Sequence, residues 1–532
     1  MKLTRNAQLS DIHKHFPKVT EKQLHQAETE AQQEVQQRVR QLADFEQLDL
    51  TQLESDGRIQ AELANSEQNL TLSYLQYQQD RERYSPHYKD IFDFVHGEGL
   101  DDTFFEQSVT EGHPFHPMTK TKLGFNSEQV ITFSPEFRQQ ARIIPVLCAS
   151  ELVTQIHPTH STLSPEYTQW FEQLQNELST QNIDISRYEI LFLHEWQLEH
   201  FVRQQYPELL QQEQLIPLYQ HAISARPLLS FRTLDVPQFN AIVKTAVNVQ
   251  ATSAVRNVSL PSIRNGIALS EAVAQIYAGG DYHHSAIQRD LAGAFLNIDE
   301  AHANKVSYLL RERLPETTQA HQTHHLVCAS LITKSFITDQ HILIECIERL
   351  MERQNLSFET ATTQFLEQYT AILLEATYRL LLEEGISLEA HMQNSTIEIQ
   401  EGLPTKIYVR DFGGVRLFDK DVDIDGSTGL ITDDFDELLA VFSHSVLYNH
   451  LFQLIRVLEQ YGYEPSIGYY IIREQLRKYN DRYQPQIDLL QQPTFRIKSL
   501  LKMRIYEDGY DYQHTYVNNP LYEKGATTTC NG

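Results

Sequence analysis

Apolar and polar residues alternate with two different periods along the chain, and together the two periods predict an α+β fold. In the Gln-rich segment 21–50, apolar residues recur at helical intervals, which predicts a polar helix or helix pair that serves packing or dimer contacts. Past Pro315 the pattern becomes mostly helical, and Gly385 stands where a helix C-cap is expected. Amphipathic helices are expected over 326–337, 341–353, 358–384, 435–461 and 467–479.

Strand-like runs occupy the middle of the chain. Between 104 and 280, the apolar runs 189–193 and 241–252 are separated by Pro and Gly, which indicates a mixed region of helices and strands. A second β-like run begins at 389 and continues through 396–399, where polar and apolar residues alternate. The turn residues at 401–404 and the returning run 406–410 predict an antiparallel hairpin.

This hairpin brings polar side chains together. If the segment Glu389-Ala390-His391-Met392-Gln393-Asn394 is extended, its alternation puts Glu389, His391 and Gln393 on one face. The returning strand then carries Asp411 to the level of Asn394. A site with two carboxylates, an imidazole and two amides is therefore one interpretation. The alternative is a surface hairpin whose polar face is only solvated.

Composition and charge limit the classes of partner. The chain has 532 residues and a formal net charge of −27, which disfavours nucleic acid or an anionic membrane as a general partner. An anionic ligand would therefore need a local cationic pocket. The four cysteines show no CxxC pair, and no apolar leader or membrane-length apolar run is present, so a cytoplasmic protein without disulfides is expected.

A first candidate binding segment is Gly112-His113-Pro114-Phe115-His116-Pro117, followed by Lys120 and Lys122. Proline after each histidine disfavours helix and holds the backbone extended or turned. The segment is therefore interpreted as a rigid basic loop that binds an anion. The alternative is that the two histidines are structural residues with satisfied hydrogen bonds.

A second candidate is the run from Lys244 to Asn257. A β-like stretch there ends in the hydroxyls of Thr252 and Ser253 and the guanidinium of Arg256. Hydroxyl, backbone N–H and guanidinium groups together can bind phosphate or carboxylate oxygens. These polar residues are also compatible with ordinary turn chemistry.

The motifs GHPFHPMTKTKLGF, KTAVNVQATSAVRN, EAHMQN, VRDFGG, NHL and NPL occur in this order along the chain. Their order and content resemble the IucA/IucC family of siderophore synthetases, which work independently of non-ribosomal peptide synthetases. The resemblance runs from about Phe104 to Leu521, and the GHPxHP and ExHxQN elements are its most specific parts. Two departures concern substrate preference: Lys122 stands where the family commonly has arginine, and His194-Glu195-Trp196-Gln197 resembles a family HPWQ.

The resemblance implies a multilobed fold like a hand, with a deep cleft between fingers and palm. The thumb would be residues 1–100, the fingers 101–315 and the palm 316–532. It further implies a homodimer. The implied reaction is ATP-dependent and magnesium-dependent: a carboxylate of citrate or a related polycarboxylic acid is adenylated, and an amine or alcohol then displaces AMP.

The resemblance also implies roles for individual residues. His391 would lie between nucleotide and carboxylate, Glu389 and Asp411 would serve magnesium or the nucleophile, and Gln393 would orient the reacting groups. The residues implied to bind ATP or the substrate carboxylates are His113, His116, Lys120, Thr252, Ser253, Arg256 and Asn394.

Two other functions remain open from the residues. A kinase-like phosphotransferase would use the His391…Asn394 segment and Asp411-Phe412-Gly413, but no HRD aspartate, Gly-rich loop or VAIK lysine accompanies them. A zinc-binding protein would use the histidines of the chain, although a carboxylate or cysteine complement is missing. These histidines are His157, His160, His321, His324 and His325.

Overall fold

The structure is a computed structural model that describes residues 12–156, 163–181, 183–252, 254–299, 302–317, 323–418, 424, 429–506 and 513–523. Ser253, His157, His160, His321 and Cys530 lie outside the described residues. Helices and strands are both abundant, and the predicted α+β class is confirmed. The thumb, fingers and palm boundaries and the deep cleft between them stay a prediction.

A nine-stranded sheet forms the centre of the N-terminal half, and all its strand pairs are antiparallel. Its strands in spatial order are Val153–Ile156, Asp290–Leu296, Ser307–Glu312, Ala241–Thr245, Thr233–Val236, Ile223–Pro227, Ala141–Ala149 and Tyr188–His194, and Leu215–Pro217 also pairs with Ala141–Ala149. Two predicted runs belong to it, since 189–193 lies in one strand and the first part of 241–252 in another.

A four-stranded sheet carries the predicted hairpin. Its spatial order is Ser285–Ile287, Leu403–Val409, Ser395–Gln400 and Thr323–Val327. The smaller sheets are Lys122–Leu123 with Gln250–Ala251 and Ala254–Val255, Ile386–Ser387 with Arg416–Phe418 and Ile431–Thr432, and the pair Thr494–Lys498 with His514–Asn518. In the hairpin, Gly402 adopts φ +88°, and a side chain there would collide with the backbone of a neighbouring helix, so the turn requires glycine.

Helices surround these sheets. The α-helices are Glu21–Glu46, Leu50–Ser55, Gly57–Tyr84, Ile91–Gly97, Thr103–Gln107, Ser127–Phe133, Pro165–Thr180, Glu195–Gln197, Arg203–Gln205, Pro207–Gln211, Leu260–Arg264, Gly266–Gly279, Cys328–Leu331, Ile342–Gln354, Phe358–Leu374, Leu380–Glu384, Phe435–Phe442, Phe452–Glu459, Pro465–Tyr483 and Leu500–Tyr506. The π-helical turns are Leu198–Val202, Glu375–Arg379 and Ser443–Leu451. The 3₁₀ turns are Pro135–Phe137, Ser150–Leu152, Ile185–Arg187, Tyr219–His221, Pro237–Phe239, Ala303–Lys305 and Leu489–Gln491.

Most of the predicted helices are confirmed, and one is wrong. The helix expected over 326–337 is mostly absent, because Leu326 and Val327 belong to a strand that pairs with Ser395–Gln400. Only Cys328–Leu331 is helical there. A short apolar run fits strand and helix equally well, and the partner strand decided the outcome. Gly385 does cap the preceding helix in the left-handed conformation, as predicted.

Two large hydrophobic cores lie under the two main sheets. The nine-stranded sheet packs a core that extends from Phe16 to Leu310. The four-stranded sheet and the C-terminal helices share a core that also takes in Ile91–Val109 and Leu269–Ile287. Segments of the middle of the chain therefore stabilise the C-terminal half. The stretch Phe435–Glu459 is long and apolar enough to cross a membrane, but 89% of its most apolar window is buried in this core.

Candidate functional site

The hairpin register places Asp411 beside Asn394. Ser395 pairs with Val409, and the backbone N–H of Arg410 donates to the carbonyl of Asn394 at 3.0 Å. The predicted turn and return strand are therefore confirmed. Asp411 follows the strand with φ +70°, a conformation that short polar side chains tolerate better than most. This turn of the backbone begins the Asp411-Phe412-Gly413-Gly414 segment.

The residues from Glu389 to Asn394, here called the site loop, are not a strand. The loop contains a turn in which the N–H of Asn394 donates to the carbonyl of His391 at 2.9 Å, so the prediction of an extended segment is wrong. The alternation of side chains nevertheless holds. Ala390 and Met392 are buried, whereas Glu389, His391 and Gln393 face the same cavity.

Buried polar contacts fix the site loop. The Nδ1 atom of His450 lies 2.8 Å from the carbonyl of Ala390, and its Nε2 atom lies 2.6 Å from the hydroxyl of Tyr369. Ser395 donates its hydroxyl hydrogen to the same carbonyl at 3.2 Å, and the amide of Asn394 donates to the carbonyl of Glu389 at 3.2 Å. The loop backbone is therefore held from several sides, which positions its outward side chains.

The site loop forms one wall of a cavity of about 300 Å³, here called the cationic cavity. Six cationic side chains line it against three carboxylates. The cations are Arg232, Lys244, Arg256, Arg311, Arg410 and Lys498, and the carboxylates are Glu106, Glu389 and Asp411. A local positive excess in a chain of net charge −27 is the pocket that an anionic ligand needs.

Two of the carboxylates are ion-paired with lysines. Lys244 Nζ lies 2.6 Å from Asp411 Oδ2, and Lys498 Nζ lies 2.6 Å from Glu389 Oε1. Burial opposes ionisation of Asp411, but Lys244 and Arg311 hold its pKa far below the usual range. Burial likewise opposes ionisation of Glu389, and Lys498 outweighs it, so the pKa of Glu389 is also lowered. Both carboxylates are therefore charged at neutral pH.

Two guanidinium groups of the cavity have a donor atom without a partner among the described residues. Arg311 Nε donates to Asp290 at 2.6 Å, while its Nη2 has no hydrogen-bond partner among the described residues. Arg232 donates to the carbonyl of Asn257, and its Nε is likewise unpaired within the described part of the chain. Unsatisfied buried donors are costly. Their concentration here favours a ligand with several anionic oxygens.

His391 stands in this cavity without a side chain to hold it. None of the side chains that the structure describes hydrogen-bonds its ring, although Glu389 and Asp411 act on it electrostatically. Burial lowers the pKa of His391, and the two carboxylates raise it by less. The imidazole is therefore neutral and available to a ligand at pH 7.

Gly413 and Gly414 allow the chain to approach the site loop. A β-carbon at Gly414 would collide with the carboxylate of Glu389, and one at Gly413 would collide with the hydroxyl of Ser262. The two glycines therefore follow Asp411 because any side chain would displace a group that lines the cavity.

The His-Pro loop differs from its prediction. The Nδ1 atom of His113 accepts hydrogen bonds from the N–H groups of Phe115 and His116 at 3.2 Å, and Nδ1 of His116 accepts from Met118 at 3.1 Å. Burial lowers the pKa of His113 well below its usual range and that of His116 to about 3. Both rings are neutral and accept hydrogen bonds that fold the loop, so the imidazoles do not add positive charge; the predicted binding of an anion by this loop stays a prediction.

Lys120 does not line the cationic cavity. It is buried, and its ammonium lies 2.8 Å from Glu136 Oε1. Lys122 is buried as well, and burial lowers its pKa to about 8. Glu136 therefore neutralises Lys120 within the protein, and the role predicted for Lys120 in binding ATP or substrate stays a prediction.

The predicted Thr252–Arg256 segment does reach the cavity. Arg256 lines it, and its guanidinium donates to the hydroxyl of Thr252 at 2.7 Å. Thr252 itself adopts φ +59° and positions Arg256 rather than lining the cavity. Burial lowers the pKa of Arg256, and Asp411 acts against this effect. His116 lies near enough for its pKa to respond to Arg256.

The structure adds residues that the sequence did not single out as site residues. Arg232, Lys244, Arg311, Arg410 and Lys498 supply most of the positive charge of the cavity. Lys244 and Arg410 stood inside motifs of the family resemblance, so those motifs contained a signal. Arg311 lies on a strand of the nine-stranded sheet and Arg232 directly before another. Neither stood in a motif, so there was no signal for them in the sequence.

The zinc interpretation receives no support. His324 and His325 contact Asp102, and His325 also contacts Glu398. Among the described residues, no group of three or more His, Cys, Asp or Glu side chains is arranged to hold a metal ion. The other three histidines of that interpretation lie outside the described residues.

Comparison with known proteins gives two family matches. Residues 101–333 match the IucA / IucC family, and residues 363–513 match the family described as ferric iron reductase FhuF-like transporter. Staphyloferrin A synthase of Staphylococcus aureus is 29% identical over 434 residues, which cover 79% of this chain and 72% of that protein. The D-ornithine–citrate ligase of the same species is 27% identical over 522 residues, covering 90% and 78% of the two chains.

Solved structures agree with the fold. The ATP-bound aerobactin synthetase IucA from a hypervirulent pathotype of Klebsiella pneumoniae superposes with a TM-score of 0.73 at 21% identity, covering 93% of this chain and 87% of that chain. The petrobactin biosynthesis protein AsbB of Bacillus anthracis superposes with a TM-score of 0.69 at 20% identity, covering 89% and 80%. The resemblance first carried by the GHPFHP and EAHMQN motifs is thereby confirmed: residues 101–333 match the IucA/IucC family, and the two relatives above, which cover most of the chain, are a siderophore synthase and a citrate ligase.

Proposed function

We propose that the protein is an ATP-dependent siderophore synthetase that adenylates a carboxylate of citrate or a related polycarboxylic acid and joins it to an amine or alcohol. The observation that carries this proposal is the cationic cavity, whose six cations and unpaired guanidinium donors match a triphosphate and a polycarboxylate together. Two relatives support the substrate class, since one is named as a staphyloferrin A synthase and the other as a D-ornithine–citrate ligase.

The chemistry follows from the poor reactivity of a carboxylate. One carboxylate oxygen attacks the α-phosphorus of ATP, the bond to the β-phosphate oxygen breaks, and pyrophosphate leaves. The nitrogen of an amine then attacks the acyl carbon, AMP leaves with the former carboxylate oxygen, and the amine loses a proton. Positive charge fixed around both anions holds them in contact and stabilises the charge that develops.

Residues of the cavity divide into two roles in this proposal. Arg256 and Arg311 present guanidinium donors to phosphate or carboxylate oxygens. His391, neutral and free of side-chain partners in the described part of the chain, hydrogen-bonds the reacting carboxylate or phosphate. Gln393 and Asn394 line the same wall and orient the substrate.

Magnesium is part of the proposal. Glu389 and Asp411 are ionised oxygen ligands on the same cavity, and Mg²⁺ is usually bound by one or two carboxylates together with substrate phosphates. The ion would neutralise charge on the leaving pyrophosphate. Each carboxylate already has a lysine partner, so a magnesium ion and the lysine would share the carboxylate.

The kinase alternative is not supported, because the relatives with printed activities are ligases and synthases. A homodimer and a cytoplasmic location stay predictions.

A single assay tests the function. The protein is incubated with ATP, MgCl₂, citrate and hydroxylamine, which captures an acyl adenylate as a hydroxamate. We expect hydroxamate, AMP and pyrophosphate in equal amounts, all dependent on the acid. Formation of ADP and phosphate without AMP would overturn the proposal. Replacing hydroxylamine by D-ornithine and other amines then identifies the acceptor.

A further inference from the structure

A second cavity, of about 540 Å³, lies against the cationic cavity and has the opposite charge balance. Six carboxylates line it against three guanidinium groups, and we call it the acidic cavity. The carboxylates belong to Asp93, Asp101, Asp102, Glu106, Asp235 and Glu316. Glu106 and Arg410 line both cavities, so their ion pair forms part of the wall between them.

The arginines of the acidic cavity are already neutralised. Arg313 is paired with Asp101 and Asp235, and Arg410 with Glu106. Arg349 is paired with Asp90, which lies outside the lining. Asp93, Asp102 and Glu316 remain, and none of the three forms an ion pair with a lysine or arginine of the described residues. The excess negative charge is therefore carried by these three side chains.

Asp102 is held rigidly and faces no guanidinium. It accepts hydrogen bonds from the hydroxyl of Thr317 at 2.9 Å and the backbone N–H of His325 at 2.8 Å, and His324 Nδ1 lies 3.1 Å away. These contacts fix the carboxylate, whose ion-pair partners among the described residues are the histidines His324 and His325. Such a carboxylate favours a cation as its ligand.

A second, independent feature of the lining is a buried hydrogen-bond acceptor, on Gln288, that has no donor among the described residues. Gln288 is 98% buried, since only 2% of it is exposed, and its amide nitrogen donates to the carbonyl of Glu312 at 2.9 Å. Its amide oxygen has no hydrogen-bond partner among the described residues. A buried acceptor without a partner is unfavourable, and an N–H donor in the cavity would satisfy it.

We propose that the acidic cavity binds a protonated amine, with Asp102 and Gln288 as its principal ligands. The Arg410 guanidinium connects this cavity to catalysis, because it also donates to the carbonyl of Gln393 in the site loop at 2.9 Å. That connection rests on the proposed ligase function. The amine is either the acceptor substrate or a separate effector, and both have the same ammonium chemistry.

Binding is tested without ATP or citrate, using 1,4-diaminobutane as the probe and isothermal titration calorimetry. Asp102→Asn retains the shape of the side chain and one acceptor oxygen, which can still accept from Thr317 and His325, but removes its charge. We expect the affinity to fall by about 10-fold or more, as for loss of a charge-assisted hydrogen bond. Asp481→Asn, on an exposed face of Pro465–Tyr483, removes the same charge elsewhere and should bind like wild type. Equal affinity of Asp102→Asn and wild type, at equal melting temperature, would overturn the proposal.

Glu316→Gln is the second variant, since Glu316 is exposed and a surface substitution is expected to change stability little. A smaller loss of affinity is expected for Glu316→Gln, and affinities equal to wild type in both variants would overturn the proposal.

Turnover then distinguishes the two sources of amine. An acceptor shows a raised KM for 1,4-diaminobutane in Asp102→Asn, whereas an effector changes the hydroxylamine-trapped rate of wild type. Absence of pyrophosphate release from wild type would instead refute the ligase function and leave the binding result standing.

Discussion

The ammonium of Lys244 lies 2.6 Å from the carboxylate of Asp411, which joins a strand of the nine-stranded sheet to the end of the hairpin. The two residues are 167 positions apart in sequence. Lys244 is 5% exposed and Asp411 28%, so the pair is largely removed from water. Arg232 and Arg311 add further positive charge around the carboxylate. Asp411 is therefore a structural counter-ion as well as a candidate site residue.

Asp411→Asn should destabilise the free protein by about 3 kcal/mol, because removing one partner of a buried pair leaves an uncompensated charge. Asparagine tolerates the left-handed backbone at φ +70°, so the loss reports on charge. Urea unfolding of wild type, Asp411→Asn, Lys244→Met and the double variant measures it. The double variant should be more stable than the sum of the single losses implies. Additive losses would show that the two residues do not interact.

His391 should behave in the opposite way. Because no side chain of the described residues hydrogen-bonds its ring, His391→Ala should leave the melting temperature within about 2 °C of wild type, as for surface-like substitutions. The release of pyrophosphate that depends on the carboxylic acid substrate should fall by about 100-fold or more if the ring contacts the reacting groups. A His391→Ala variant with full activity would remove His391 from the site.

Arg256→Lys tests whether a guanidinium fork is needed. The lysine keeps the positive charge but loses the planar donors. We expect kcat/KM for ATP to fall by roughly 10- to 100-fold, which corresponds to about 1.5 to 3 kcal/mol for a charge-assisted hydrogen bond. Arg187→Lys, at an exposed position, is the matched control. Wild-type kinetics in Arg256→Lys would show that Arg256 contributes only its charge.

The hairpin could be predicted because its signals are local. Alternating residues, a turn at Gly402 and a fixed register together set Asp411 beside Asn394 without reference to the rest of the chain. The site loop was predicted as a strand because alternation alone does not reveal a turn. Its side chains still reached one cavity, since a buried backbone held by His450 kept the alternation.

The cations of the cavity could not be predicted in the same way. Lys498 reaches Glu389 across 109 residues, and Arg311 is held by Asp290 on the neighbouring strand. Only the tertiary fold brings these groups together. Lys120 shows a second limit: it stands in a basic cluster of the sequence, yet Glu136 neutralises it inside the protein. Nearness in sequence does not reveal which charges are already compensated.

Buried neutral histidines should make the fold sensitive to acid. Burial lowers the pKa of His116 and His194 to about 3. Burial is also the largest of the effects that lower the pKa of His450 to about 4. The unfolded chain takes up these protons near pH 6.5, so below that pH it binds more protons than the folded state. Stability should therefore fall by about 1.4 kcal/mol per pH unit for each ring.

Urea unfolding between about pH 7.5 and 5 measures this slope. In the wild type, the N–H of Trp196 donates to the Nδ1 atom of His194 at 3.1 Å. The substitution His194→Asn keeps an acceptor for this N–H. The variant loses stability at neutral pH because it leaves a cavity beside Phe133, so the slope with pH is the readout. We expect the slope of the unfolding free energy against pH to decrease by about 1.4 kcal/mol per pH unit, which corresponds to one proton. An unchanged slope would show that His194 does not titrate between the two states.

ATP binding should weaken in mild alkali through Lys244. Burial lowers its pKa to about 8, although Asp411 raises it in part. As the pH rises past about 8, the ammonium loses its proton and the cavity loses one positive charge, so the Kd for ATP should rise by up to about 10-fold per pH unit. Lys244→Arg stays charged over this range and should bind ATP with a constant Kd from about pH 7 to 9. Fluorescence titration with a labelled ATP analogue compares the two proteins. The same alkaline rise in both would assign the titration to another group of the site.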